Sequence, residues 1–215
     1  MSLQAALAAV ENAMPPEKRD MIAGMVGRIA AGDAGTKSLA KGDQAPNFIL
    51  SDAHGNATAL RAVLMEGPIV LVFYRGRWCP YCSAELAAYQ LAMPEITARG
   101  AKLVAISPEI PDDPLTPGEI DSLSFEVLSD PGNTVARKFG LVYEVDSDTR
   151  SEFEGLGLDL SKVNGDERWE LPVPATFIVD SNREIVFAST EPDYRTRAEP
   201  ADVVAALDHM AGRDG

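Results

Sequence analysis

Apolar residues recur at helical spacing in the first part of the chain and gather into short β-branched runs further on. Over residues 1–40, Leu3, Leu7 and Val10 share one face. After a break at Met14-Pro15-Pro16, Met21, Met25, Val26 and Ile29 form a second stretch. The spacing predicts a helical extension packed on the rest of the chain and ended by the loop Ala31-Gly32-Asp33-Ala34-Gly35. A main domain is expected over 41–215. Within it, strands are predicted at 47–50, 68–74, 102–107, 126–129, 141–145, 175–179 and 184–188. Helical spacing covers 59–66, 80–99, 133–139 and 200–211, with a further short helix after the proline-rich loop 108–117.

The run Pro68-Ile69-Val70-Leu71-Val72-Phe73-Tyr74 has no polar face, as expected for a strand buried on both sides. The segments 68–74, 80–99 and 102–107 then read β-α-β, which favours a parallel crossover. The class is α/β, with a central mixed sheet flanked by helices. Residues 146–172 carry no clean period and include Gly155, Gly157 and Gly165, so they read as a surface insertion of the kind that covers a site.

The chemistry lies where the buried strand gives way to a helix, in Arg75-Gly76-Arg77-Trp78-Cys79-Pro80-Tyr81-Cys82. A C-x-x-C pair in a β-α-β setting points to thioredoxin-like redox chemistry. Cys79, at the helix start, faces unpaired backbone N–H groups and the positive end of the dipole, and Arg75 and Arg77 add positive charge. Cys79 is expected to be the acidic, exposed nucleophile. Cys82, one turn further in, is expected to be more buried and to attack a mixed disulfide formed at Cys79. Trp78 and Pro80 flank the nucleophile and are candidate supporting residues. The chain has only these two cysteines, and a disulfide between them closes too short a loop to serve as a long-range staple. A zinc site would need two more ligands, and His54 and His209 lie far apart, so neither metal nor cofactor is expected.

Charge narrows the partners. The 215 residues carry 33 Asp and Glu against 19 Lys and Arg, a net charge of -14, which disfavours nucleic acid and anionic membranes. No stretch approaches the roughly 20 apolar residues that span a bilayer. The start, Met1 to Val10, lacks the pattern of a secretory signal, so a cytoplasmic location is expected.

Two further motifs carry a family resemblance. Leu171-Pro172-Val173-Pro174, leading into Ala175-Thr176-Phe177, resembles the thioredoxin superfamily, in which a cis-proline faces the reactive cysteine. That resemblance implies a cis Val173–Pro174 bond, with the Val173 backbone available to an extended substrate. The stretch Gly42-Asp43-Gln44-Ala45-Pro46-Asn47-Phe48-Ile49-Leu50-Ser51-Asp52, with His54-Gly55, resembles the AhpC/TSA family, the peroxiredoxins and their relatives. Residues 73–82 are similar to its C-x-x-C branch. The resemblance spans residues 41–211 and implies a thioredoxin fold with Cys79 at the peroxidatic position. Three places depart from the peroxiredoxin pattern: Val72 and Gly76 stand where the family carries Pro and Thr, and Pro174 stands where it carries Arg. Arg75, Arg77, Arg195 and Arg197 are the candidates to replace that Arg. Glu85 is expected on a solvated helix face.

The leading functional expectation is a thiol–disulfide oxidoreductase, recycled by a thioredoxin- or glutathione-type thiol donor. A second is a peroxidase in which a hydroperoxide converts Cys79 to a sulfenic acid and Cys82 condenses with it. A third is a non-catalytic interaction protein that binds through 1–40 and 146–172. The N-terminal helices also suggest a homodimer.

Overall fold

The structure is a computed structural model that describes residues 2–110 and 123–211. The short helix expected after the proline-rich loop lies outside the described residues. Strand β3 (Ile69–Phe73) is buried at every position, as its unbroken apolar run requires. Val70 and Val72 enter one core, and Ile69, Leu71 and Phe73 enter the other. On one side β3 pairs in parallel with β4 (Lys102–Ser107), which pairs in parallel with β5 (Glu126–Ser129). On its other side it pairs antiparallel with β8 (Ala175–Val179), followed by β9 (Ile185–Thr190). Strands β1 (Ile49–Asp52) and β2 (Ala57–Ala59) complete a seven-stranded mixed sheet in the order β2-β1-β5-β4-β3-β8-β9. The short strand β2 has no apolar alternation and was not expected; it exists because β1 supplies a partner.

Helices cover both faces. Helix α3 (Leu60–Leu64) and α5 (Thr134–Lys138) close one core, where the Phe73 ring lies 4.9 Å from Phe139 and 6.1 Å from Phe177. The opposite core is closed by α4 (Pro80–Ala98), α8 (Pro200–Ala211), α1 (Leu3–Asn12) and α2 (Pro16–Ala31). Proline at the first position of α2 suits a helix start, since the missing N–H would have no intrahelical partner there. Glu199, just ahead of α8, accepts hydrogen bonds from the backbone of Leu3 and Gln4 at 3.0 and 2.7 Å. A carboxylate at that helix N-terminus offsets the dipole and ties the start of α1 to the start of α8. The apolar stripes of α1 and α2 are thus buried against their own chain.

Residues 146–172 are more ordered than their lack of period suggested. They form α6 (Ser147–Gly155), α7 (Leu160–Asn164) and β7 (Glu170–Pro172), the last paired with β6 (Val142–Glu144). A small third core of Val145, Phe153, Leu160, Trp169 and Leu171 closes on Met25 of α2. Asp146 caps α6 by accepting from the Asp148 and Thr149 amides. Arg28 of α2 reaches Thr149 Oγ1 at 2.9 Å, joining the two walls.

The Val173–Pro174 bond is trans, contrary to the expectation from the superfamily: no cis peptide occurs among the described residues. The Val173 amide donates to Leu141 O at 2.8 Å, continuing the β6–β7 ladder, and the chain runs directly into β8. That amide is committed to the fold and is not available to a substrate.

Leu7 of α1 is buried in the α4 core. Leu7→Ala is therefore expected to lower the unfolding free energy by about 2–3 kcal/mol in urea denaturation. An unchanged midpoint would mean that α1 does not contribute to the fold.

Candidate active site

Strand β3 ends at Phe73, and the next five residues turn the chain into α4. Gly76 makes the turn at φ 149°, and a Cβ there would stand 2.2 Å from Trp78 Nε1. Glycine at this position therefore both permits the backbone conformation and makes room for the indole. Cys79 is the residue that caps α4, in extended conformation, and Pro80 begins the helix.

Cys79 is 1% exposed and Cys82 is fully buried, so the expectation of an exposed nucleophile is corrected. The cause is non-local: α2 and the 146–172 segment close over the start of α4. They leave a cavity of about 350 Å³ with Cys79, Arg75, Trp78 and Pro80 in its lining. Met14, Met21 and Met25 come from the N-terminal segment, and Phe153 and Leu158 from the insertion. Among the described residues, Arg75 and Lys18 are the only charged ones in the lining, and both are cations. Val173 and Pro174 are not part of it.

Arg75 is 2% exposed, and its Nη1 lies 3.8 Å from Cys79 Sγ. The guanidinium sits 3.9 Å from the Tyr194 ring centroid, 4.9 Å from that of Trp78 and 5.6 Å from that of Phe153. Such an aromatic cage favours the cation. Burial opposes its charge, yet the neighbouring Tyr143 and Cys79 groups keep it protonated. Its Nε and Nη2 have no hydrogen-bond partner, so the cation holds donor capacity beside the sulfur.

The two thiols are driven apart in acidity. A hydrogen bond from the Cys82 thiol stabilises the Cys79 sulfur anion; burial opposes ionisation, and Arg75 and Arg197 favour it. Cys79 is accordingly held well below the ordinary thiol value. Cys82 moves the other way, through burial and then its hydrogen bond to Cys79, with Arg197 and Arg75 only partly offsetting the rise. The pair is poised as a thiolate with a thiol beside it.

The other candidate residues separate clearly. Arg77 donates its backbone N–H to Glu109 Oε2 at 2.9 Å, and its Nε lies 3.5 Å from the same oxygen, so Glu109 holds it. Arg195 pairs with Asp193 at 2.8 Å. Arg197 places Nη2 3.6 Å from Cys82 Sγ and Nε 2.8 Å from Glu85 Oε2. Glu85 is fully buried and not on a solvated face, because Arg197 supplies the countercharge that burial demands. Trp78 is half-buried, edge-on to Phe153 with centroids 5.4 Å apart, and packs between Arg75 and the insertion. No motif or spacing marks the cage residues Tyr194 and Phe153, which the fold brings in from elements far from the C-x-x-C.

A mixed sheet between helices, with a buried thiol pair at the head of α4, defines a thioredoxin-like redox protein. Residues 41–188 match the AhpC/TSA family model. The chain belongs to the AhpC/TSA family, and it is an oxidoreductase that works through thiols. The Mycobacterium tuberculosis relative Rv2521 is 29% identical over 153 residues, covering 71% of this chain and 86% of its own. The thiol-disulfide oxidoreductase ResA of Halalkalibacterium halodurans is 32% identical over 109 residues, covering 49% of this chain and 60% of its own. The crystal structure of peroxidoxin BcpB from Mycobacterium tuberculosis shares the fold at TM-score 0.61 and 22% identity, over 80% of this chain and 97% of that one.

Cys79 alkylation followed against pH tests the thiolate. Its rate is expected to stay high as pH falls below the ordinary thiol value of about 8.5 and to drop only at the depressed value. Arg75→Leu, which removes the cation, should move that drop to higher pH. It should also slow alkylation at neutral pH by about tenfold or more, a factor that corresponds to about 1.4 kcal/mol.

Proposed function

We propose that this protein is a thiol peroxidase for hydroperoxides small enough to enter the cavity above Cys79. The observation that carries the reading is the Arg75–Cys79 contact on the floor of an apolar chamber. In the first step the Cys79 thiolate attacks the terminal peroxide oxygen. The O–O bond breaks, the sulfur becomes a sulfenic acid, and the alkoxide leaves with a proton as an alcohol. Arg75, with its unpartnered N–H groups, is suited to stabilise charge developing on the peroxide oxygens. It takes the place of the arginine absent at Pro174. In the second step Cys82 attacks the Cys79 sulfenic acid, forming the disulfide and releasing water. Two electrons from a thiol donor then restore the dithiol.

The apolar lining suits hydroperoxides with a hydrocarbon body, and its three methionines adapt to irregular shapes. Thiol–disulfide exchange remains the second reading. It draws on the C-x-x-C spacing and on the similarity to ResA, and burial of both sulfurs confines it to small disulfides. Residues 1–40 serve as a helical extension and 146–172 as an insertion on a domain of 41–215, together walling the site. A reduced dithiol of this kind suits the cytoplasm, where thiol donors are abundant.

Stopped-flow oxidation of the reduced protein by hydrogen peroxide and by cumene hydroperoxide decides between these readings. Cys79 is expected to react at least about a hundredfold faster than a free thiol, which corresponds to about 2.7 kcal/mol of barrier. Cumene hydroperoxide should be the faster of the two, and a small disulfide such as oxidised glutathione should not be reduced at a comparable rate. Rates with peroxide equal to a free thiol's, with fast reduction of the small disulfide, would replace the peroxidase reading by the exchange reading. A cellular role left intact by Cys79→Ser would point instead to an interaction protein.

A further inference from the structure

Next to Cys82, and outside the cavity lining, lies a buried ion pair that the peroxide step does not use. Arg197 bridges two groups of α4: its Nε meets Glu85 Oε2 at 2.8 Å, and its Nη2 lies 3.6 Å from Cys82 Sγ. Both ionic side chains are nearly inaccessible, at 2% and 0% exposure. An ion pair so deeply buried is costly to keep, because two desolvation penalties must be met by one attraction. The other carboxylate oxygen, Glu85 Oε1, is buried with no hydrogen-bond partner at all. An orphaned carboxylate oxygen in a dry interior is the natural seat for a proton.

We propose that Glu85 and Arg197 are positioning residues for Cys82: the Arg197 guanidinium receives the Cys82 thiolate as it forms, and Glu85 takes the proton that the thiol gives up. The charge inside the protein is conserved in this exchange. Before it, Arg197 is balanced by the Glu85 carboxylate and Cys82 is neutral. After it, Arg197 is balanced by the Cys82 thiolate and Glu85 is neutral. The thiolate then attacks the Cys79 sulfenic acid: the S–S bond forms, the S–O bond breaks, and the departing hydroxide takes up a proton as water. Glu85 releases its proton in the same event, so the sum is one sulfenic acid and one thiol giving one disulfide and one water. The step rests on the reading of Cys82 as the resolving thiol.

The surroundings are compatible with this exchange. Burial pushes the Glu85 carboxyl up to about 7, Arg197 opposes the rise and Cys82 adds to it. Tyr89 of α4 faces Glu85 and Arg197, and Glu199 at the head of α8 faces Tyr89. Cys79, with Arg75 and Tyr74 from just beyond β3, faces Cys82. Asp193 faces Arg197 but is paired with Arg195 at 2.8 Å. Tyr89 is bound to Thr176 Oγ1 at 3.2 Å, and burial holds its phenol neutral. Glu199 is engaged by the α1 backbone. Glu85 is therefore the carboxylate placed to trade a proton with Cys82.

The test reads Cys82 alone, in a Cys79→Ser background without any peroxide, by thiolate ultraviolet absorbance against pH. Adding Glu85→Gln leaves Arg197 uncompensated, and Cys82 is expected to ionise at a proton concentration about tenfold higher or more. Adding Arg197→Gln removes the group that receives the thiolate, and Cys82 is expected to ionise at higher pH. Opposite directions support the assignment, since a packing defect alone would move both the same way. Unchanged titration, or displacement in one common direction, overturns it. Should Glu85→Gln not fold, Glu85→Asp carries the same test, with Cys82 moved down by a smaller amount. A second measurement, disulfide closure in the intact pair, should show an inflection near neutral pH that Glu85→Gln abolishes. Failure of peroxide to oxidise Cys79 would remove the peroxidase reading and leave the Cys82 titration standing.

Discussion

A sulfur anion kept out of water is the constraint on which the rest of this structure depends. An isolated charge in an apolar interior costs tens of kcal/mol by idealised solvation, so a buried thiolate persists only where the protein supplies replacement partners. Cys79 has the Cys82 thiol and backbone amide as hydrogen-bond partners, and the Arg75 and Arg197 guanidinium groups as nearby countercharge. Arg75 is itself buried and needs its own support, which comes from the faces of Tyr194, Trp78 and Phe153. Those rings arrive from the C-terminal segment, the turn before α4, and the insertion. Burying one charge has therefore recruited all three regions. The turn at Gly76 follows from the same demand, because the indole occupies the space that any side chain there would need.

Much of the architecture was legible because it is written in local periodicity. The unbroken apolar run of β3, the alternation leading into β8 and the C-x-x-C at a strand–helix junction each identify themselves within a few residues. What stayed hidden depends on partners distant in sequence. Glu85 looks like a solvent-facing residue on α4 until Arg197 is brought beside it. Arg75 and Arg77 look equivalent, and only Glu109 separates them by capturing one. Helix α6 offers a single aromatic anchor, Phe153, in an otherwise polar stretch, so no periodic signal announced it. The trans bond before Pro174 departs from the superfamily pattern, and the Val173 amide is spent on Leu141 in a ribbon whose second strand, β7, was not legible in the sequence.

The two ionic clusters around the cysteines divide the work. Arg75 and the aromatic cage line the cavity with Cys79 and, in the proposed reaction, act on the sulfur that meets the oxidant. Arg197, paired with Glu85, reaches Cys82 and, in the proposed reaction, acts on the sulfur that follows. Each thiol thus has its own arginine, and the difference between them is the counter-ion: Cys79 itself balances Arg75, whereas Glu85 balances Arg197 until Cys82 is called upon. This division explains how adjacent turns of one helix hold thiols of opposite tendency.

The lining of the chamber by α2 and α6 carries a consequence for turnover. On the proposed reading, a small hydroperoxide fits the cavity of about 350 Å³, whereas a folded donor protein is far too large to reach sulfurs this deeply buried. Such a donor meets the disulfide only during excursions in which a wall helix detaches locally, and an opening free energy of about 4 kcal/mol would expose it roughly one part in a thousand of the time. With a protein donor, oxidation and recycling would then run on different clocks: the first set by sulfur chemistry, the second by local opening of the wall in which Arg28 joins Thr149.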